Sequence, residues 1–127
     1  DQYGHHAGDI VLQQFTQVIA ENLRQSDLFG RLGGEEFAIL LKNLSLTESI
    51  QIAQRLCHLV YDHPITLPNN VVLHISVSIG LSDQTCPYYI PFQQLINRAD
   101  DALYEAKETG RNKLCIERQL HTVSPTN

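Results

Sequence analysis

The chain has 127 residues, 43% of them apolar, and a formal net charge of −5. That suffices for one domain with its own core and excludes the basic stripe of a nonspecific DNA or RNA binder. Cys57, Cys86 and Cys115 lie far apart without CxxC spacing, and no apolar run approaches the roughly 20 residues of a membrane-spanning helix. A disulfide framework, a zinc ribbon and direct membrane contact from this segment are therefore not expected, and a reducing cytoplasm is.

Over residues 7–24, Leu12, Phe15, Ile19 and Leu23 recur at helical spacing with Gln13, Gln14, Gln17 and Glu21 between them, which predicts an amphipathic helix. Asp9 falls at its expected start, where a carboxylate satisfies orphan N–H groups. Residues 28–31 and 36–41 read as the arms of a hairpin. Ser45 and Glu48 have capping-box spacing and open a second helix, whose apolar face is Ile50, Ala53, Leu56, Cys57 and Val60 and which stops before Pro64. Residues 65–67, a Pro68-Asn69-Asn70 turn and residues 71–81 predict a second hairpin. Its long arm alternates Leu73, Ile75, Val77, Ile79 and Leu81 with polar or small residues, the pattern of a half-buried strand. Residues 82–90 form a loop, and Pro91 suits the first turn of a third helix carrying Leu95, Ile96, Ala99, Leu103 and Ala106. Gly110 ends that helix at C′, residues 113–116 give a last strand, and 121–127 is a loose tail. Helices interleaved with hairpins indicate an α+β sheet with helices on one face.

The most informative stretch is the turn of the first hairpin. Gly33-Gly34 is a hairpin signal, because tight hairpin turns need positive φ. Two carboxylates, Glu35 and Glu36, follow at the turn, ahead of a strand with no other charge before Lys42. In a regular strand they would point to opposite faces, and at a turn that alternation relaxes. Glycines that bare backbone N–H groups, beside carboxylates able to hold a hard cation, suit a nucleotide phosphate with Mg²⁺. Taken alone, the same residues also describe a solvated turn whose charges guard a sheet edge.

The turn is not alone. Gly33-Gly34-Glu35-Glu36-Phe37 is the signature of the GGDEF family in its GGEEF form, and the chain resembles a diguanylate cyclase domain. Matching segments are the run from Tyr3 to Asp9, Ser76-Val77-Ser78-Ile79-Gly80, and the run from Ala99 to Lys107 with Gly110-Arg111-Asn112 after it. They span nearly the whole chain. The resemblance implies a ferredoxin-like, nucleotidyl-cyclase-like palm with an antiparallel-rich central sheet, flanking helices and the motif on a β-hairpin. The domain would occupy 1–118, with 119–127 as a flexible tail. A domain of this family opens with a helix, a strand ending in a metal-binding Asp, and a further helix and an Asn that reads guanine. Asp1 falls just past where that Asn would lie. The expectation is therefore an N-terminally truncated domain, its absent strand belonging between 36–41 and 71–81, with a damaged sheet and half an active site.

The resemblance also implies roles. Glu35 is a metal ligand and the candidate general base, Glu36 a second metal carboxylate, and Gly33 and Gly34 let phosphates approach. Asp9 matches the guanine-reading carboxylate, a role that competes with helix capping. Lys107 and Arg111, bracketing the end of the third helix, grip GTP phosphates, although cations also favour a helix C-terminus. Arg24 and Asp27 form an RxxD at the family's inhibitory product site. Arg55 aligns with an arginine that a facing domain supplies there, or is simply a solvated helix residue. His5 and His6 are adjacent, unsuited to one ion, and expected to shape a loop.

The implied reaction condenses two GTP into cyclic di-GMP and two pyrophosphates, with Mg²⁺ or Mn²⁺, in a homodimer holding one GTP per domain. Cyclic di-GMP would be both product and inhibitor. The alternative is a non-catalytic module that binds cyclic di-GMP or GTP as a regulator; the undamaged motif favours the cyclase, while the absent metal Asp makes this chain alone a poor catalyst. An adenylyl cyclase or polymerase palm fits the pairing of GGEEF with RxxD less well. The expected location is the cytoplasm, including the cytoplasmic part of a larger membrane-anchored sensor.

Overall fold

The computed structural model describes residues 2–84 and 89–116, so Cys86 and the expected tail at 119–127 lie outside the described residues. Contacts divide the chain into two compact units, Asp1–Ile75 and Ser76–Asn127. Among the described residues no helix is long and apolar enough to cross a membrane.

The first unit begins with helix α1, Gln2–Glu21. The expected start is corrected here: Asp9 lies inside the helix and caps nothing, and His5 and His6 are helical rather than part of a loop. The Gly8-Asp9 pair looks like a helix start locally, but nothing in it breaks a helix that has already begun. Strands β1 (Leu28–Gly33) and β2 (Glu36–Leu40) form an antiparallel hairpin. Its register runs from Leu28 opposite Leu40 to Arg31 opposite Phe37, then slips so that Gly33 faces Glu36. Leu32 is thus an extra residue on β1, a β-bulge.

Helix α2, Leu46–Tyr61, opens with the expected capping box. The Ser45 side chain accepts from the Glu48 N–H at 3.1 Å, and Glu48 Oε1 accepts from the Ser45 N–H at 3.0 Å. The Ser45 hydrogen bonds hold the Glu48 carboxyl below the usual carboxylate range. Ala53, Leu56, Cys57 and Val60 of α2 join Ile19 of α1, Ile65 and Leu67 in the core of this unit. Burial pushes the Cys57 thiol up, as expected of a structural rather than a reactive cysteine. Strands β3 (Ile65–Thr66) and β4 (Val72–Leu73) close a short antiparallel hairpin, its turn held by Asn70 at φ 67°.

The second unit is a β–α–β arrangement. Strand β5 (Ile79–Leu81) and strand β6 (Leu114–Ile116) pair in parallel, joined through helix α3, Phe92–Glu108. Parallel neighbours need such a crossover. Pro91 is the N-cap of α3, one position earlier than expected. Gly80 lets the helix lie directly on β5: a Cβ there would stand 2.1 Å from the Ala99 carbonyl oxygen and 2.2 Å from the Leu103 nitrogen. Ala102 and Ala106 complete the small-residue face of α3.

The expected long strand over 71–81 is the main departure. Residues 72–73 and 79–81 are in ladders, but 74–78 are not, although the alternation of exposed His74 and Ser76 with half-buried Ile75 and Val77 survives. Side-chain alternation follows burial, whereas a ladder also needs a neighbouring backbone. The described strands accordingly form three two-stranded ladders, two of them antiparallel, instead of one continuous sheet. The described elements are of the α+β class.

Candidate functional site

The hairpin tip carries the motif. Gly34 and Glu35 form the two-residue turn between the paired Gly33 and Glu36. Gly34 has φ 53°, the left-handed region that glycine enters without penalty. A Cβ at Gly33 or Gly34 would meet nothing within 4 Å, so the space beside this backbone is open. Glu35 and Glu36 are exposed, and neither makes a side-chain hydrogen bond or ion pair among the described residues.

Behind the tip the hairpin is braced. Phe37 stands 5.3 Å from Phe15 of α1 and 5.6 Å from Phe29, ring centroid to centroid. Arg31 lies over the Phe37 ring at 6.0 Å and donates from Nε to the Gly34 carbonyl at 2.8 Å and from Nη2 to the same oxygen. Leu12 and Thr16 of α1 face Phe29, Gly30, Arg31 and Phe37 across an open groove of about 410 Å³. Asp9 is exposed on α1, three residues before Leu12, hence on the same side of the helix.

The RxxD turn is closed on itself. Arg24 Nη2 donates to Asp27 Oδ1 at 2.6 Å, Nε donates to both carboxylate oxygens, and the Arg24 N–H donates to Asp27 Oδ2 at 2.7 Å. The Asp27 side chain is 1% accessible, and these bonds hold its carboxyl below the usual range. Arg24 Nη2 also donates to the Lys42 carbonyl at 2.9 Å, tying the turn to the chain just past β2. Arg55 is not merely solvated: its Nη2 donates to the Asn22 carbonyl at 3.0 Å, just beyond the end of α1.

In the second unit, Lys107 is half-buried in the last turn of α3. Gly110, with φ 131°, stops the helix, and the Arg111 N–H returns to the Ala106 carbonyl at 2.9 Å, the long bond of a Schellman motif. Arg111 and Asn112 are themselves left-handed, at φ 62° and 48°. Such strain in non-glycine residues persists only where neighbours enforce it, and it clusters at functional sites. Here the Asn112 N–H donates to Ser78 Oγ at 3.2 Å.

The first unit thus holds Asp9, the hairpin tip, the RxxD turn and Arg55, and the second holds Lys107 and Arg111. Three supporting residues had no expected role: Arg31, Ser78 and Asn112. For Arg31 a signal existed, since period two puts it on the same strand face as Phe29. For Ser78 and Asn112, whose bond spans distant residues, none did.

Residues 1–113 match the family described as diguanylate cyclase, GGDEF domain. The chain is 35% identical over 118 residues to diguanylate cyclase A of Treponema denticola, an alignment covering 93% of this chain and 31% of that protein. Among solved structures it is similar to the GGDEF domain of TpbB, also called YfiN, of Pseudomonas aeruginosa, with 33% identity and a TM-score of 0.84 over 97% of this chain and 72% of that one. It is also similar to the GGDEF domain of DgcB from Caulobacter crescentus in complex with c-di-GMP, with 26% identity and a TM-score of 0.83 over 94% and 70%. The chain spans about a third of the length of the curated relatives it matches first, at 33% and 31%. A domain-wide match, the fold, and an intact Gly33–Phe37 turn with its carboxylates held out agree: the chain belongs to the GGDEF diguanylate cyclase family.

Proposed function

We propose that this domain condenses two GTP molecules into cyclic di-GMP, two copies facing each other with one GTP each. Each 3′-hydroxyl attacks the α-phosphorus of the other nucleotide, the bond to the β-phosphate breaks, pyrophosphate leaves, and the hydroxyl proton goes to a base. Glu35 at the turn is the candidate base. The observation that carries the reading is the tip itself: two exposed, unpaired carboxylates beside glycine backbone with open space around it.

The donor set fits a hard divalent cation. No group of three or more His, Cys, Asp or Glu converges among the described residues, and Mg²⁺ is ordinarily held by one or two carboxylates with substrate phosphates and water. Glu35 and Glu36 would hold it, and it would neutralise charge developing on the phosphates. Backbone N–H groups at the Gly33–Gly34 turn donate to phosphate oxygens, and Lys107 and Arg111 of the second unit are the cations that the family resemblance assigns to GTP phosphates. Asp9 accepts from guanine N1–H and N2–H₂, and the groove beside Leu12 and Phe29 takes the flat face of the base. Cyclic di-GMP binds at the RxxD turn as inhibitor, with Arg24 giving up Asp27 or offering its remaining Nη1, and Arg55 of a facing copy contributing its free N–H groups.

The test is product formation from GTP with Mg²⁺ or Mn²⁺ by the purified chain, with and without Glu35→Gln. Turnover lost by roughly 10²–10⁴-fold in the variant, with an unchanged melting temperature, supports the reading, as does loss of turnover on chelation. Turnover that is unchanged in Glu35→Gln would overturn the role given to the tip.

A further inference from the structure

Arg31 belongs to neither the metal carboxylates nor the phosphate cations, yet it makes the most specific contact at the tip. Its Nε and Nη2 both donate to the carbonyl oxygen of Gly34, and its guanidinium lies over the Phe37 ring. That ring is fixed in turn by Phe15 and Phe29. A line of contacts therefore runs from helix α1 to a single peptide group at the turn.

That peptide group matters because of its planarity. In a trans peptide the carbonyl of one residue and the N–H of the next point in opposite directions across a rigid plane. Gripping the Gly34 carbonyl from the Phe37 side consequently aims the Glu35 N–H to the other side. Without the grip this plane is the least constrained in the hairpin, since it lies in the turn beyond the Gly33–Glu36 pair and next to a residue free in φ. The bulge at Leu32 contributes by bending β1 ahead of the tip.

We infer that Arg31 is a positioning residue: its fork on Gly34, braced by Phe37, sets the turn peptide so that the Glu35 N–H and side chain are presented to a nucleotide phosphate and its metal. This rests on the proposed role of the tip. A planar, two-donor fork stacked on an aromatic ring is specific to arginine, and a lysine ammonium reproduces neither the fork nor the stacking.

The experiment compares the 127-residue chain with Arg31→Ala and Arg31→Lys, using backbone order parameters from NMR and titration with GTP in Mg²⁺. In both variants the order parameters at Gly34 and Glu35 fall from about 0.85 to below about 0.6, while the rest of the hairpin and the melting temperature hold. GTP binding weakens about tenfold, the scale of one lost hydrogen bond to a charged group. Added guanidinium at millimolar concentration restores binding in Arg31→Ala, a rescue that a merely structural role would not give. Unchanged tip order in Arg31→Ala, or full function in Arg31→Lys, overturns the inference. If the unaltered chain binds no GTP, the proposed function fails, and the order parameters still decide the role of Arg31.

Discussion

At Gly34 a Cβ would meet nothing within 4 Å; at Gly80 it would overlap the α3 backbone at 2.1 and 2.2 Å. Both glycines sit inside segments that mark the family, but they serve different ends. Gly34 is kept for its backbone, which must be left-handed at φ 53° and open to whatever approaches. Gly80 is kept for its missing side chain, which lets a helix close onto a strand. A motif glycine in open space points to a ligand, and one in contact points to the fold.

The comparison can be broken most directly at Gly80. Gly80→Ala is expected to cost roughly 3 kcal/mol or more, because the clash is with backbone that cannot rotate away; a normal thermal unfolding curve for this variant would remove the packing explanation. Gly34→Ala sharpens the other side. With free space around it, only the left-handed backbone is penalised, so about 1–2 kcal/mol should be lost in a denaturant titration; a loss as large as that of Gly80→Ala would erase the distinction. The smallest effect is at the neighbouring charged turn, where Arg24→Ala separates a fold contact from a ligand contact. Hydrogen bonds from Arg24 lower the Asp27 pKa in the folded chain. The resulting stabilisation is present above the unfolded carboxylate value, about pH 4, and is lost as pH falls through the folded value. Without Arg24 the melting temperature should fall less steeply below about pH 4, and inhibition by cyclic di-GMP should disappear. Inhibition unchanged in this variant would leave Arg24 a fold contact alone.

What was legible in the sequence follows from how far each interaction reaches along the chain. The Ser45–Glu48 box spans three residues and needs no other element, and it stands as expected. Gly110 and the end of α3 are equally local. Asp9 shows the opposite case. A carboxylate after glycine reads as a cap, but whether a helix already runs through it depends on residues earlier in the chain. The 71–81 segment divides along the same line, since its alternation is intrinsic to the sequence and its pairing depends on other strands. For the proposed site, the sequence offered the tip carboxylates, Lys107 in the last turn of α3 and Arg111 just beyond that helix. It did not reveal that Arg24 is held by Asp27, because the residue types that read guanine also satisfy one another. Nor did it reveal that Arg31 bonds the turn carbonyl.

That bulge has a consequence for how the family's signature can vary. One unmatched residue, Leu32, stands between the Arg31–Phe37 pair and the Gly33–Glu36 pair, so the parity of β1 changes just before the glycines. Side-chain direction in a strand depends only on whether a position is odd or even. Inserting a residue beside Leu32, or deleting Leu32, would leave all five letters of the motif intact and still change the face on which Arg31 stands relative to the tip. The signature is thus a constraint on count as much as on composition, and a sequence that keeps the letters but alters the spacing to the preceding arginine should not be counted as keeping the site.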